Sequence, residues 1–286
     1  MKSMSYGANV RLAVSRWVLV AGLLAVSLCP VPGRAESGSS GAEDPFRDKV
    51  AVITGSSSGL GRALAEQAAE RRMKLVLADI NPVPSRELAA AVESAGGEAL
   101  AVEVDLAVAE QRDRVIDAAM ERFGRVDYLF NNAGYSYLAT LEQMDLEEAH
   151  RLFEVNYWAY VDLAQRVIPI MREQGGGGIL NVASILGHVP GSPGLGHYAA
   201  TKHALVGMFQ VAARELADDG IRVQIASPGG MRTNIARNST GPLADERRDR
   251  ADGWEDPAIV ARDIFDELLD GEVVFHPGFV GRERAD

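Results

Sequence analysis

The stretch KVAVITGSSSGLG, residues 49–61, joins a short apolar run to a loop rich in glycine and serine. The run from Lys49 to Thr54 contains several β-branched residues, which predicts a buried strand. The loop from Thr54 to Gly61 leads into a helical pattern at residues 62–72. Glycines in such a loop let backbone amides approach a phosphate at a helix N-terminus. Because the spacing is G-x-x-x-G-x-G, a dinucleotide site and a plain tight connection both remain open at this point.

Strand and helix patterns alternate along the rest of the chain. Further strands are predicted at residues 75–80, 99–105, 126–130, 179–183, 223–226 and 273–276. Further helices are predicted at residues 85–95, 110–123, 146–173, 198–217 and 257–269, with a bend near Pro169 and a turn at the glycine run 175–178. Near-continuous apolar strands joined by helices are typical of a parallel sheet covered on both faces. The sequence therefore predicts a single doubly wound α/β domain over residues 49–286.

Composition excludes several classes of function. The 286 residues are 47% hydrophobic and 24% charged, as in ordinary soluble domains. A net charge of −11 makes nucleic acid a poor partner, because phosphate binding needs clustered Lys and Arg. The single cysteine, Cys29, rules out an intramolecular disulfide and a cysteine-based zinc site. The histidines lack metal-ligand spacing such as H-E-x-x-H, so no metal is predicted.

The N-terminal residues differ from the remainder. Residues 17–29 form an apolar run that is shorter than the roughly 20 residues of a membrane span, and basic residues precede it. Residues 1–35 therefore resemble a signal peptide or a membrane anchor, with a start placed too early as the alternative. Residues 36–48 are interpreted as a flexible linker. This segment favours export or membrane association through residues 17–29, whereas a dinucleotide cofactor at the glycine loop would favour the cytoplasm, so localisation stays open.

An acidic residue ends the second strand, where a dinucleotide site needs one. Asp79 lies 18 positions after Gly61, and a carboxylate there accepts hydrogen bonds from ribose hydroxyls and repels a 2′-phosphate. Neither Ser58 nor Ile80 offers a cation for such a phosphate. A surface Asp that starts a turn is the alternative. The order strand, loop, helix, strand and acid favours NAD as the cofactor, with NADP the less favoured one.

Four polar residues occur where an α/β sheet places its chemistry. Tyr198 and Lys202 are spaced i, i+4 on a predicted helix and therefore share one face. A nearby ammonium lowers the pKa of a tyrosine, which is about 10 in water. Ser184 ends the fifth strand, and Asn156 is an amide in a largely apolar helical stretch. Each signal alone is weak, because such residues also occur as ordinary polar side chains.

Taken in order, five motifs make the chain resemble the short-chain dehydrogenase/reductase family over about residues 49–281. They are TGSSSGLG (54–61), NNAG (131–134), Ser184, YAATK (198–202) and PGGMRT (228–233). The resemblance implies a Rossmann-type fold with a mostly parallel, seven-stranded sheet and a nicotinamide cofactor across its C-terminal edge. It also implies an NAD(P)-dependent alcohol dehydrogenase or ketone reductase. Such an enzyme transfers a hydride between the cofactor and a CH–OH or carbonyl group of a small or medium apolar substrate.

The same resemblance implies a role for each matching residue. Tyr198 would be the general acid/base, Lys202 would lower its pKa and hold the nicotinamide ribose, and Ser184 would bind the substrate oxygen. Asn156 would support a water relay from Lys202 to solvent. The residues implied to bind the cofactor are Gly55, Ser57, Ser58, Gly59, Leu60, Gly61, Asp79, Asp105, Leu106, Asn132, Ala133, Gly134, Tyr198, Lys202, Pro228, Gly229 and Thr233.

Several alternatives remain at the level of sequence. A non-catalytic nucleotide-sensing or scaffold protein of the same fold is the alternative to an enzyme. Small and apolar residues on more than one face of the helix at 198–217 favour a homodimer or homotetramer. The charged stretch 244–256 is either part of a mobile lid or a solvated surface segment, and His188 is either a pocket or a loop residue. Candidates for the pocket wall, by position alone, are Tyr135, Tyr137, Leu186, Leu195, Met231 and Ile235.

Overall fold

The computed structural model describes residues 44–245 and 254–278. Strands and helices alternate along these residues. The strands are β1 (Val50–Thr54), β2 (Lys74–Asp79), β3 (Ala99–Glu103), β4 (Tyr128–Asn131), β5 (Gly177–Val182), β6 (Ile221–Ala226) and β7 (Val274–Phe275). The helices are α1 (Gly59–Glu70), α2 (Pro82–Ser94), α3 (Ala109–Phe123), α4 (Leu146–Phe153), α5 (Ala159–Gln174), α6 (Gly196–Glu215) and α7 (Pro257–Asp270).

The strands form one seven-stranded, all-parallel sheet in the order β3-β2-β1-β4-β5-β6-β7. Successive residues of a strand face opposite sides of this sheet. Val52 and Leu129 pack with α3, α5 and α6 on one side. Ile53 and Leu75 pack with α1, α2 and α7 on the other side. Full burial of each such side chain contributes about 1.5–3 kcal/mol, so the continuous apolar strands produce the doubly wound Rossmann-type fold that the sequence predicts.

The strand order reverses beside β1, and this places the site. The chain runs outward from β1 to β2 and β3, then returns to lay β4 against the other side of β1. The loops after β1 and β4 therefore diverge and leave a crevice at the C-terminal edge of the sheet. The Gly/Ser loop after β1 and the 131–134 motif after β4 meet at this crevice.

The element boundaries differ from the prediction in three informative places. Helix α1 begins at Gly59, so the last two glycines of the loop belong to its first turn. Residues Glu154–Trp158 form a π-helical turn between α4 and α5, whereas the prediction has one helix with a bend near Pro169. Pro169 instead lies inside α5, which continues to Gln174. Gly177 and Gly178 begin β5 rather than forming a turn.

The N-terminal interpretation falls outside this description. Residues 1–35 and most of the proposed linker lie beyond the residues that the structure describes. Across residues 44–245 and 254–278, no helix is both long enough and apolar enough to cross a bilayer.

Candidate functional site

A cleft of about 420 Å³ lies at the crevice between the loops after β1 and β4. It continues past the ends of β2 and β3 on one side and past β5 and α6 on the other. The structure brings into its wall most of the residues that the sequence analysis assigns to a cofactor: Gly55, Ser58, Gly59, Leu60, Asp79, Asp105, Leu106, Asn132, Ala133, Gly134, Tyr198, Lys202 and Thr233.

Six of the assigned residues are not part of the cleft wall. Among the described residues these are Ser57, Gly61, Asn156, Ser184, Pro228 and Gly229. Gly61 lies behind the loop, where α1 approaches β1, and the carbonyl of Pro228 accepts a hydrogen bond of 2.9 Å from the amide of Ile185. The sequence motifs therefore predict which loops surround the cleft, but they do not predict which residues of those loops line it.

Two glycines allow the loop after β1 to lie directly against the loop after β4. Gly55 has φ +68°, and a Cβ there would come within 2.9 Å of the Cα of Ala133. A Cβ on Gly61 would lie 2.0 Å from the carbonyl oxygen of Gly55. The side chain of Asn132 fills the small space that remains and donates to the carbonyl of Thr54 at 2.9 Å. Glycine is required at both positions by this close approach.

The N-terminus of α1 faces the cleft with its first amides available. Ser58 is the N-cap residue, and among the described residues its side chain forms no capping bond with these amides. The first turn carries no acidic side chain either. Unpaired amides together with the positive end of the helix dipole form a site for a phosphate group.

Asp79 is held beside this loop at the end of β2. One carboxylate oxygen accepts from the amide of Ser57 at 3.0 Å, and the other accepts from the amide of Asn81 at 2.8 Å. Two fixed backbone donors orient the carboxylate at the cleft wall. The side chain of Ser57 points away from the cleft and bonds Ser85 at 2.8 Å.

Asp105 forms the corresponding wall after β3. Burial alone would raise the pKa of Asp105, but hydrogen bonds from Arg151 and from the amide of Ala107 outweigh burial and lower it. Arg151 itself lines the cleft and was not identified from sequence. It lies on α4, and no local motif links it to Asp105, which is 46 positions earlier in the chain.

A second arginine fixes the same loop from behind. Arg112, on α3, is 3% exposed and donates to the carbonyl of Leu106 at 2.8 Å. It also forms an ion pair of 2.6 Å with Glu154 in the π-helical turn and one of 3.4 Å with Asp162. A buried guanidinium needs this set of acceptors, and the network ties the wall after β3 to the turn that carries Asn156.

Tyr198 and Lys202 lie at the other end of the cleft, on one face of α6. Their residues are 8% and 3% exposed, and the Nζ atom of Lys202 lies 5.7 Å from the centre of the Tyr198 ring. Lys202 Nζ donates to the carbonyl of Val182 at 2.9 Å. Helical spacing thus brings the two side chains together as the i, i+4 pattern predicts.

The pKa values of this pair are dominated by burial. Burial raises the pKa of Tyr198 to about 12, against a smaller lowering by a hydrogen bond with Ser184. Burial lowers the pKa of Lys202 to about 7. At neutral pH the phenol is therefore protonated, and the lowered pKa of Lys202 lies close to neutrality. The lowering of the Tyr198 pKa by Lys202 stays a prediction, because the net shift in this structure is upward.

Asn156 is placed by the π-helical turn rather than by a regular helix. Its Oδ1 atom accepts from the amide of Tyr135 at 3.1 Å, and its Nδ2 atom donates to the carbonyl of Tyr135 at 2.9 Å and to Oγ1 of Thr201 at 3.3 Å. The side chain thereby holds the segment after the 131–134 motif against α6. Wide π-helical turns often occur at functional sites.

Tyr198 belongs to a buried apolar cluster. It contains Tyr137, Ala139 and Leu152, with further partly buried residues against it: Tyr135, Met144, Leu186, Leu195 and Ile235. Of the six candidate wall residues, Tyr135, Met231 and Ile235 line the cleft. The other three, Tyr137, Leu186 and Leu195, pack in or against the cluster instead.

The segment after β6 covers this end of the cleft. Tyr137 and Thr240 form a parallel β-bridge, and the buried hydroxyls of Ser136 and Ser239 are 2.7 Å apart. These contacts hold the segment down. Most of the charged stretch 244–256, including residues 246–253, lies outside the described residues. His188 contacts the hydroxyl of Ser227 at 2.9 Å through Nε2 rather than lining the cleft.

Metal binding has no support among the described residues, which contain no group of three or more His, Cys, Asp or Glu that could hold an ion. The polar groups at the cleft include backbone amides, the carboxylates of Asp79 and Asp105, and the cationic side chains of Arg151 and Lys202.

Comparisons with known proteins identify relatives of this chain. A family model for short chain dehydrogenases matches residues 49–243. The 2,5-dichloro-2,5-cyclohexadiene-1,4-diol dehydrogenase LinX of Sphingobium indicum is 37% identical over 190 residues, which are 66% of this chain and 76% of that protein.

Two solved structures share the fold. A short chain dehydrogenase/reductase from Burkholderia phymatum in complex with NAD has a TM-score of 0.76 and 31% identity, covering 84% of this chain and 92% of that one. A short-chain dehydrogenase from Sphingobium yanoikuyae in complex with NADPH has a TM-score of 0.73 and 28% identity, covering 83% and 91%. By its family match, its fold and its relatives, this chain belongs to the short-chain dehydrogenase/reductase family of oxidoreductases.

Proposed function

We propose that this chain is an NAD-dependent oxidoreductase that interconverts a hydroxyl and a carbonyl group on a small or medium apolar substrate. The observation that carries the proposal is the joint placement of Asp79, the α1 N-terminus, Tyr198 and Lys202 around one cleft. A nucleotide sensor requires Asp79 and the α1 N-terminus to bind its ligand, but it does not require a buried tyrosine and lysine pair.

The residues of the cleft fit a dinucleotide. The close approach at Gly55 and Gly61 leaves backbone amides at the α1 N-terminus for a pyrophosphate. Asp79 and Asp105 provide acceptors on either side of the expected adenosine position, and Lys202 and Thr233 line the nicotinamide end. When bound, the nicotinamide supplies or takes up the hydride.

NAD is favoured over NADP because of the charge at the end of β2. The oriented carboxylate of Asp79 accepts hydrogen bonds from ribose hydroxyls and opposes a 2′-phosphate. The two structural relatives bind NAD in one case and NADPH in the other, so family membership leaves this choice to the residues themselves.

The proton chemistry is assigned to the chain's own side chains. Tyr198 as the phenol, its form at neutral pH, donates a proton to a carbonyl oxygen in reduction, and as the phenolate it accepts a proton from a hydroxyl in oxidation. Ser184 bonds Tyr198 and orients the reacting oxygen. Lys202, with a pKa of about 7, exchanges protons near neutrality, and Asn156 holds the adjoining backbone in place.

The substrate is proposed to be uncharged at the reacting end. The cluster beside Tyr198 is built from aromatic and aliphatic side chains, and a charged group would lose its hydration there without a partner. The relative LinX is a dehydrogenase of a cyclic diol, which agrees with an alcohol on an apolar ring as the substrate class.

Assembly and the N-terminal segment form a further part of the proposal. Met208 and Val211 on α6 are exposed, as is Trp158 in the π-helical turn, which supports a homodimer or homotetramer through this face.

Residues 1–35 are proposed as a signal or anchor segment and 49–286 as the catalytic domain. Light scattering and a fractionation of expressing cells test these two points.

The experiment for the proposed function is a fluorescence titration of the full chain with NADH and NADPH. We expect tight NADH binding and weak NADPH binding. Tyr198→Phe is expected to remove turnover with any accepted alcohol while leaving the NADH affinity nearly unchanged. A chain that binds neither cofactor, or a Tyr198→Phe variant with full turnover, would contradict the proposal.

A further inference from the structure

The pair of Asp105 and Arg151 lies at the adenosine end of the cleft, and both residues line it. Nη2 of Arg151 donates to Oδ2 of Asp105 at 2.8 Å. The pair joins the loop after β3 to helix α4, two elements that are far apart in sequence. Its placement in the cofactor wall distinguishes it from the exposed ion pairs elsewhere on the surface.

Both oxygens of Asp105 have a fixed donor. Oδ1 accepts from the amide of Ala107 at 2.9 Å, while Oδ2 accepts from Arg151. Each carboxylate oxygen has two lone pairs, so each keeps one for a further donor. With a backbone amide on one oxygen and a guanidinium on the other, the carboxylate cannot rotate freely, and the free lone pairs have a set direction.

The surroundings keep this acceptor ionised. The Tyr135 hydroxyl is buried without a hydrogen-bond partner among the described residues, and it interacts electrostatically with both Asp105 and Arg151. The groups that hold the pKa of Arg151 above its usual range are Asp105 first, then Tyr135 and Glu148. Asp105 has a lowered pKa, so it accepts hydrogen bonds as a carboxylate across the neutral range.

We propose that Arg151 is a positioning residue for base recognition: it orients Asp105 so that the carboxylate accepts a hydrogen from the exocyclic amino group of adenine. This inference rests on the proposed function, since it requires a dinucleotide in the cleft. Arg151 contributes through Asp105 and not through a bond of its own to the cofactor.

The charges argue against a direct phosphate contact by Arg151. Asp105 and Glu148 both interact with its guanidinium, so two negative charges offset the one positive charge. A phosphate would have to displace a carboxylate from a bond of 2.8 Å. The α1 N-terminus, where the first-turn amides lack a side-chain cap, is the better site for the pyrophosphate.

The test compares two ligands that differ at the 6-position of the base. Reduced nicotinamide hypoxanthine dinucleotide has a carbonyl oxygen where NADH has the amino group, so it offers Asp105 no hydrogen at the 6-position, and its ring donor is the hydrogen on N1 instead. We expect the wild-type chain to bind NADH at least about tenfold more tightly, as for one hydrogen bond to a charged group. In Arg151→Gln this ratio is expected to fall towards one, mainly through weaker NADH binding, and Arg151→Lys is expected to restore part of it.

Two further variants make the comparison specific. Asp105→Ala should also bring the ratio close to one, and adding Arg151→Gln to it should change the ratio no further. Arg172→Gln is the matched control, because the Arg172 side chain is 51% exposed and that of Arg151 is similarly 47% exposed. Arg172 forms an ion pair of 2.7 Å with Asp219, and neither residue lines the cleft. This control should leave both affinities unchanged.

The outcomes separate this inference from the proposed function. Equal weakening of both dinucleotides by Arg151→Gln would mean a phosphate contact or a packing role, and it would overturn the inference alone. An unchanged ratio would do the same. A wild-type chain that binds neither dinucleotide would overturn the proposed function and the inference together.

Discussion

Replacing Lys202 by methionine is expected to stabilise the fold at neutral pH while it removes turnover. Lys202 is 3% exposed, and the described structure gives it a carbonyl at 2.9 Å and two aromatic rings as its surroundings. A charged amine at such a buried position destabilises the fold, because it has lost its hydration. Methionine has a similar length and removes that cost.

The magnitude follows from the pKa of Lys202. Burial lowers this pKa from 10.5 to about 7, and each pKa unit corresponds to about 1.4 kcal/mol. The charged amine therefore destabilises the fold by at most about 5 kcal/mol. Leaving the Val182 carbonyl without its donor costs about 1–3 kcal/mol. A net gain of about 2–4 kcal/mol in the free energy of unfolding remains for Lys202→Met.

The sign with pH is fixed by proton linkage. Between pH 7 and 10.5 the unfolded chain binds this proton and the folded chain does not, so wild-type stability from this group rises with pH. The penalty is full below about pH 7 and absent above about pH 10.5. The advantage of Lys202→Met should therefore be largest at and below neutral pH and should reverse in alkaline solution, where only the loss of the donor to the Val182 carbonyl remains.

Urea unfolding of the two chains at about pH 7 and about pH 10 measures the difference. Lys49→Met is the control, because the Lys49 side chain is 43% exposed and should show no such pH-dependent gain. A variant that is less stable than wild type at both pH values, or one whose advantage does not shrink with pH, would refute the reasoning.

Three further predictions concern the rest of the site. Gly61→Ala places a Cβ 2.0 Å from the Gly55 carbonyl and should cost at least about 1–3 kcal/mol in urea unfolding, whereas Gly207→Ala, with open space around it, should gain up to about 1 kcal/mol. Asp79→Ala should shift the ratio of NADH to NADPH affinity towards NADPH by at least about tenfold, and an unchanged ratio in the fluorescence titration would contradict the role of Asp79. Ser184→Ala removes a hydrogen bond that lowers the pKa of Tyr198, so the alkaline rise of the oxidation rate should move to higher pH; a shift to lower pH would count against this pairing.

Much of the fold was predictable because it depends on local patterns. The seven strands are short apolar runs in the sequence. Such runs predict strands here because helices bury both faces of the sheet. The helical spacing of Tyr198 and Lys202 likewise fixes their common face without knowledge of any partner.

The rest depends on contacts that no local pattern encodes. Arg112 and Arg151 are ordinary helix residues in sequence, and their partners lie 42 and 46 positions away. The π-helical turn at 154–158 is equally hidden, because its residues have no distinctive composition and the wide turn arises where Asn156 bonds to neighbouring elements. Helix boundaries shifted for a related reason: Gly59 begins α1 although glycine is a poor helix former.

The pairing of β1 with β4 also determines when the cleft exists during folding. Thr54 and Asn132, whose bonds join the two loops, are 78 positions apart, so their contact closes a long stretch of chain that includes β2 and β3. Closure over such distances is the slow part of forming a parallel sheet. A ligand held between the two loops therefore binds only the chain in which both halves have already joined. By mass action, a hundredfold excess of ligand over its dissociation constant would then protect the whole domain, rather than one loop, by about 2.7 kcal/mol.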